Sequence, residues 1–571
     1  MSEERLIAIS KAIRAGRRRL RRCALVACAL LVGPAGIGRA EITLTARVTY
    51  DGVDTVRVDA GTAEGLREGV LGSLSLYDGR LFHFEVLDAG RESASLRLTS
   101  GPVGTDLFRR SVELAFEPLP PEAAVDGADA PAPDRKSLGR PAESGDAEEF
   151  IPLLAPRQDV PKVSERRNVS HGRVQVRQML QTDAENDFDY SVTRVSSSGT
   201  VDRLEGSHWS FDWAGDLRYR DGGAFARHPD YQDVVPYLYR AVFHRPVGDD
   251  GLFRFGRFLP QQLPGIGYVD GLQAEVHPGE HLRLGVVGGL KPGRIDLEPS
   301  ANEPLATGYA TVEAGRRSDA YYSGTLGLLT SYYDGRTDRL AMLFDQRANL
   351  GRDFTLYSTA EVDFDAGTAQ TRTGTRLTRL DVTAVSRLSS FLTIQGGADH
   401  WERPDHQAER ELLPFDDDRF FDDGYWRYWI GSTQNLPWQL RLYEEIAYID
   451  SDTAGRNALW RVRATRTGLF AWRDASATLT LYSLAAYEND GYGLWASGYF
   501  PLHKGRLVVQ PAAGFRLLDA APQGEDISLS YFSLHLDGRL SKNWTLFGGW
   551  TYSNGDAVDS TMLDVGVRLA W

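Results

Sequence analysis

Cysteine is almost missing from this chain. Of 571 residues only two are cysteine, Cys23 and Cys28, and both fall in the N-terminal 30. That excludes a disulfide framework and a thiolate metal site for everything downstream. Methionine is nearly as scarce, with four. Beyond the N-terminus no run of 18 or more apolar residues occurs, so no helix is expected to cross a membrane. An excess of positive charge is lacking too. The formal net charge of −14 argues against a general nucleic-acid binder. No Gly-x-Ser-x-Gly, His-Glu-x-x-His or phosphate-loop signature is present. The histidines are scattered, and Asp399 beside His400 would point to opposite faces of a strand. We therefore expect no enzyme, no cofactor, no bound metal and no nucleic-acid partner.

What is present is 58 glycines, 24 tyrosines and 12 tryptophans in a chain that is 42% hydrophobic and 25% charged. This is the composition of a folded protein, and it points to β-structure. The N-terminus reads differently. Arg14, Arg17, Arg18, Arg19, Arg21 and Arg22 precede an apolar run from Cys23 to Ile37, and Gly38-Arg39-Ala40 follows. That order is expected of a secretory signal peptide, residues 1–40, cleaved after Ala40. Its removal takes away nine basic and two acidic side chains and leaves 55 basic against 76 acidic, a net of −21. The mature chain would be exported, acidic and free of thiols.

Residues 41–118 form the first β-rich segment. Alternation marks Ile42–Val48, Thr55–Asp59, Leu74–Tyr77, Phe82–Val86 and Ser95–Leu98, with turn signals such as Asp51-Gly52 and Asp78-Gly79 between them. The stretch Val58–Gly69, with Ala60-Gly61, Gly65-Leu66 and Gly69, resembles a turn of small SH3-like β-barrel modules in periplasmic proteins. The resemblance implies a docking module for a periplasmic protein partner. Residues 119–170 follow as a linker, in which Pro120, Pro121, Pro131, Pro133, Pro141, Pro152, Pro156 and Pro161 are scattered among Ala, Asp, Glu and Gly. Such composition buries too little to offset chain entropy, and a disordered tether is expected.

Residues 171–571 divide into segments of alternating polarity. Tight connections at 278–280, 317–319, 350–352, 388–390, 502–505 and 541–543 occur in rotation with longer ones at 259–270, 291–307, 365–373, 401–424 and 518–527. A meander with short turns at one end and long loops at the other predicts a transmembrane β-barrel. Trp209–Arg220 shows the faces: Trp209, Phe211, Trp213, Leu217 and Tyr219 against Ser210, Asp212, Asp216, Arg218 and Arg220. Aromatics near strand ends (Trp401, Trp438, Tyr448, Tyr487, Trp544, Tyr552) suit the interfacial girdles of such a barrel. We count 22 antiparallel strands, with 18 or 20 as leaner alternatives. The stretch Asp187–Leu204 is the least regular of them, and Pro511 is a misfit inside a strand.

The closing segment Met562–Trp571 puts Leu563, Val565, Val567, Leu569 and Trp571 on one face. It resembles the C-terminal strand signal of Gram-negative outer-membrane proteins. That resemblance implies insertion by the barrel assembly machinery into outer-membrane lipid and lipopolysaccharide, with the N-terminal module in the periplasm.

The polar face carries the candidate pore lining. Its cations are Arg173, Arg177, Arg218, Arg220, Arg240, Arg254, Arg283, Arg347, Arg379, Arg427, Arg461, Arg463, Arg516 and Arg568. Its acids are Asp212, Asp216, Glu313, Asp345, Glu361, Asp363, Asp381, Asp399, Asp537 and Asp564. Two uses are open: a salt-bridged wall that only satisfies its polar groups, or a charged path orienting an anionic or sugar-like solute through forked Arg contacts.

The passage Gly256-Arg257 … Pro264-Gly265 … Asp270-Gly271 resembles a segment of porin-like barrels in which a loop folds inward. An ordinary external loop is the alternative. Two acidic clusters, Asp183/Glu185/Asp187/Asp189 and Asp416/Asp417/Asp418/Asp422/Asp423, offer oxygen ligands without the spacing of a defined calcium loop. Solvated loop acids are expected there.

Two functions follow as expectations. One is porin-like passage of hydrophilic solutes. The other is an outer-membrane scaffold or export conduit of an envelope machine, such as polysaccharide export, docked through 41–118; simple porins lack such a module. A TonB-dependent receptor would need a plug larger than this segment.

Overall fold

The computed structural model describes residues 42–51, 55–58, 60, 66, 70–76, 81–89, 94–98 and 111–116. It then describes 168–571 except 185–187, 223–233, 249–250, 294–296, 316–319, 352, 366–373, 405–423, 453–454, 470–471, 486–488, 504, 521–526 and 557. The expected leader and most of the expected tether lie outside the described residues, as do Tyr487, Glu185, Asp187 and the acids at 416–423. The described strands fall into two compact units.

The first unit holds β1 (Ile42–Asp51), β2 (Thr55–Val58), β3 (Leu71–Leu76), β4 (Leu81–Ala89), β5 (Ala94–Leu98) and β6 (Ser111–Phe116). They close in the order β1-β2-β5-β4-β3-β6. Alternate residues fill the interior, including Val56, Val58, Leu74, Phe82, Phe84, Leu96 and Leu114. Leu66 and Val70 of the glycine-rich turn join them, and the Val86 N–H donates to the Val70 carbonyl at 2.9 Å. The alternation read from the sequence put the last strand at Ser95–Leu98, and the structure adds one more, β6, inside the same segment 41–118. β6 pairs with β1 through Leu44↔Leu114 and with β3 through Leu74↔Leu114. Without it both strands would expose an unpaired edge. The likeness to SH3-like modules rests on the turn motif alone.

The second unit is one closed barrel of 22 strands. In chain order they are β7 (Val169–Asp183), β8 (Phe188–Asp202), β9 (Ser210–Gly222), β10 (Val234–Val247), β11 (Gly251–Phe258), β12 (Val269–Gly279) and β13 (Leu282–Leu290). Then come β14 (Pro304–Gly315), β15 (Ala320–Tyr333), β16 (Arg336–Leu350), β17 (Phe354–Asp365), β18 (Gly374–Arg387), β19 (Leu392–Glu402), β20 (Gly424–Leu436) and β21 (Leu440–Ser451). The last are β22 (Gly455–Leu469), β23 (Trp472–Ala485), β24 (Asn489–Leu502), β25 (Leu507–Ala520), β26 (Ile527–Arg539), β27 (Trp544–Gly555) and β28 (Val558–Ala570). Each pairs antiparallel with the next, and β28 closes on β7 through Val567↔Val176. The Trp571 N–H and carbonyl both bond to Gly172, at 3.0 and 3.1 Å. With strands about 4.8 Å apart and tilted about 40°, the mean backbone diameter is roughly 44 Å.

The irregular stretch after Asp187 is β8. Its outward face mixes Val195 and Val201 with Ser191, Thr193 and Ser197, and neighbours satisfy the polar groups: Thr193 bonds to Gln178, and the Trp213 indole N–H donates to Ser197 at 2.9 Å. That is the condition for polar groups on a lipid-facing wall. Pro511 leaves a local gap. The β24–β25 ladder reaches Ser497↔Ala512 and resumes only at Phe500↔Val509, because proline has no N–H to donate.

Both barrel termini lie at the end of the short turns. At the opposite end the connections vary in length. Only Asp334 and Gly335 join β15 to β16, both at positive φ (47° and 77°), as a two-residue hairpin requires. At that end too, the Ser528 N–H (2.5 Å) and hydroxyl (2.8 Å) donate to Asp556, holding its carboxyl below the usual carboxylate range.

Candidate functional site

The strand registers divide every wall residue between two faces. One face is apolar and exposed: Val286, Leu326, Leu328, Ile430, Ile446, Leu563 and Val565 lie on it. With Trp438, Tyr448, Trp544 and Tyr552 exposed near strand ends, it has the form of a lipid-facing belt. Trp401 does not belong to that belt. It pairs with Arg379 and Tyr425 on the opposite face, and His400 points outward instead, stacked 4.2 Å from Trp426. Alternation assigns a face only relative to its neighbours, and the register decides which is inner.

All of the candidate lining residues, from Arg173 and Arg177 to Asp564 and Arg568, fall on the other, lumenal face. Most of their charges are met by partners in adjacent strands. Asp216 lies 2.8 Å from Arg194 and 2.6 Å from Arg218, with no exposed side-chain surface. Arg218 also donates to the Tyr239 hydroxyl at 2.7 Å, and Arg220 to that of Tyr237 at 2.6 Å. Asp212 accepts from Thr200 at 2.8 Å and stands 3.7 Å from Arg240. Arg177 lies 3.3 Å from Asp564, and Arg568 donates to Gln175 at 3.3 Å. Asp345 accepts from Thr359, Arg347 donates to Asn349, Arg463 donates to Thr480, and Gln510 donates to Asp537. Asp381 faces Asp399, which Arg427 approaches at 3.3 Å. Arg254 lies over the Phe258 ring.

Several hubs of this network were not singled out in the sequence. Glu275 takes Arg283 at 3.4 Å and the Tyr309 hydroxyl at 2.6 Å. Glu445 takes both Arg427 and Arg461 at 2.9 Å. Arg339, only 7% exposed, forks onto Asp363 (2.6 Å) and reaches Glu361 (2.8 Å), while Arg379 stands 3.7 Å from Glu361. Their partners are separated by a turn or a whole strand, so spacing could not reveal them.

The connection Leu259–Tyr268 turns into this lumen. Arg257 clamps its base by forking onto Asp270, with one arm at 2.5 Å, and donates further to the carbonyls of Leu238 (2.9 Å) and Leu297. Gly256, at φ 117°, supplies a backbone conformation other residues rarely adopt. Leu263 (1% exposed) and Ile266 (5%) then pack with Val287, Leu305, Leu329 and Leu343, which stand on the lumenal face of β13 to β16. Those four apolar residues, on the face that also carries the charged side chains, were the sequence signal for the docking. Gly265 comes against the Glu361 carboxylate. The loop thus lies against the inner wall of the barrel.

An antiparallel closed barrel with an apolar outer belt and an ionised inner face defines a transmembrane β-barrel. In comparisons with known proteins, no protein family matches the chain. No curated protein matches its sequence. Among solved structures it is similar to the translocation pore of the P pilus usher PapC, at TM-score 0.39 and 13% identity over 71% of this chain and 99% of that one. It is also similar to OccAB1 of Acinetobacter baumannii, at TM-score 0.34 and 8% identity over 70% and 96% of the two chains. OccD3 (OpdP) of Pseudomonas aeruginosa gives TM-score 0.34 and 9% identity over 71% and 92%.

Proposed function

We propose that this protein is an outer-membrane channel that passes hydrophilic solutes, with the Leu259–Tyr268 loop narrowing its lumen. One observation carries the reading: the loop is docked on the inner wall of a barrel whose lumenal face carries a network of ionised side chains. Such a wall keeps water and solutes inside while the apolar belt meets lipid. The short-turn end, with both barrel termini, faces the periplasm, where the N-terminal unit then lies and where barrel assembly machinery would act on the Val565–Trp571 strand. The role is transport rather than catalysis. Purified full-length protein in a planar bilayer should give stepwise conductance, and sucrose-gradient fractionation should place it with outer-membrane markers. A preparation that is folded but never conducts would overturn the channel.

A second reading has its own support. The separate N-terminal unit has a closed strand order and a core of its own. A docking unit of this kind suits an export conduit or scaffold in an envelope machine. Cross-linking in cells should then capture a periplasmic protein on residues 41–118, and deletion of that segment should abolish export without reducing conductance.

A further inference from the structure

Among the described residues, the large apolar side chains exposed in mid-strand point outward to lipid, with one exception. Trp495 is 45% exposed yet pairs with Thr480 and Gly514 on the lumenal face. Its neighbours are arranged around it. The Tyr531 ring lies 4.5 Å from Trp495, across Gly514, where a β-carbon would stand 2.6 Å from the ring. Tyr482 covers Gly493 in the same way, at 2.4 Å. The Tyr531 hydroxyl is buried with no hydrogen-bond partner among the described residues. Three rings therefore form a shelf along β23 to β26.

Arg516 stands beside that shelf. It pairs with Gly493, which places it diagonally from Trp495 on the same face. It is exposed, and among the described residues no ion pair, hydrogen bond or ring contact engages it, whereas Arg177, Arg218, Arg283 and Arg461 all have acids. The exposed lumenal indole and this free guanidinium are thus neighbours.

Their position relates them to the inward loop. In a ring of 22 strands, those eleven places apart lie opposite one another, so the loop's wall on β13 to β16 faces β24 to β27. The depths match as well: Glu361 stands four residues from the end of β17 at Asp365, and Arg516 four from the end of β25 at Ala520. What passes the loop passes the shelf.

We infer that this shelf binds an acidic saccharide, the pyranose face stacking on Trp495 and the uronate carboxylate forked by Arg516. The electron-rich ring face favours the weakly positive C–H groups of a sugar, and the fork of Arg matches a carboxylate. This inference rests on the proposed channel for its biological use, but the binding can be tested without transport.

Calorimetry on detergent-solubilised full-length protein, with trigalacturonate as the probe, should show binding. Trp495→Ala and Arg516→Gln should each weaken it by about tenfold, the scale of one lost stacking or charge-assisted contact. Trp495→Phe, which keeps a ring, should retain most of it, and outward-facing Trp550→Ala should change nothing. Heat-modifiable gel mobility shows that each variant is folded. Neutral maltotriose should bind more weakly than trigalacturonate and be indifferent to Arg516→Gln. Unchanged affinity in Trp495→Ala, or benzoate binding as well as trigalacturonate, overturns the inference. A wild type that binds but passes no current keeps the shelf and removes the channel; one that conducts but does not bind does the reverse.

Discussion

A β-carbon on Gly265 would come within 2.6 Å of Glu361 Oε1. The inward loop therefore meets the wall through bare backbone, at a carboxylate held in place by Arg339 at 2.8 Å. Leu263 sits in a similar recess, since a β-carbon on Gly327 would stand 2.4 Å from its Cδ1.

Gly265→Val should push the loop off Glu361. Overpacking of this kind costs about 1–3 kcal/mol. The expected result is a larger single-channel conductance and protease cleavage within 259–268, with the barrel still resistant to heat on a gel. Unchanged conductance and unchanged cleavage would show that the loop does not set the width.

Arg257 is 4% exposed and holds Asp270 and two carbonyls. Arg257→Met should destabilise the fold by about 3–5 kcal/mol, because it strands a carboxylate beside an apolar side chain. Removing both charges with Asp270→Leu should recover part of that loss, the remainder reflecting the two carbonyls. Urea unfolding followed by tryptophan fluorescence measures both. A double variant no better than the single one would contradict the clamp.

The lumenal arginines should not act alike on ion selectivity. Reversing Arg218, Arg461, Arg463 and Arg516 together would suit a wall of free charges, but Arg218 and Arg461 answer Asp216 and Glu445. Arg461→Glu sets acid against acid and should lower assembled yield. Arg516→Glu should leave folding intact and move the reversal potential toward cations. The shift should be larger in 0.01 M than in 1 M salt, as the screening length falls from about 30 Å to 3 Å. A reversal potential unmoved in dilute salt would place Arg516 off the ion path.

Val565, 48% exposed, faces outward beside the seam that Trp571 closes onto Gly172. Val565→Arg should cost about 2–4 kcal/mol near the midplane of the bilayer. Removing Trp571 should reduce the heat-modifiable fraction by deleting both seam bonds. Ser553→Arg, on the lumenal register, should assemble normally. Equal yields for Val565→Arg and Ser553→Arg would contradict the assignment of the two faces.

The strands and their faces were legible because alternation with a period of two is a local property, readable from Trp209–Arg220 or Met562–Trp571 without knowing any partner. So were the strand count and the charged residues' sharing of one face. Tertiary structure decided the rest, because each remaining feature depends on residues distant in sequence meeting across a register. It brought Glu445 between Arg427 and Arg461, turned Trp401 to the lumen, and recruited Ser111–Phe116 to cover the edges of β1 and β3. It also chose between an inward and an outward loop. That choice lay with Val287, Leu305, Leu329 and Leu343, four apolar residues on separate strands that become one surface only when the barrel closes.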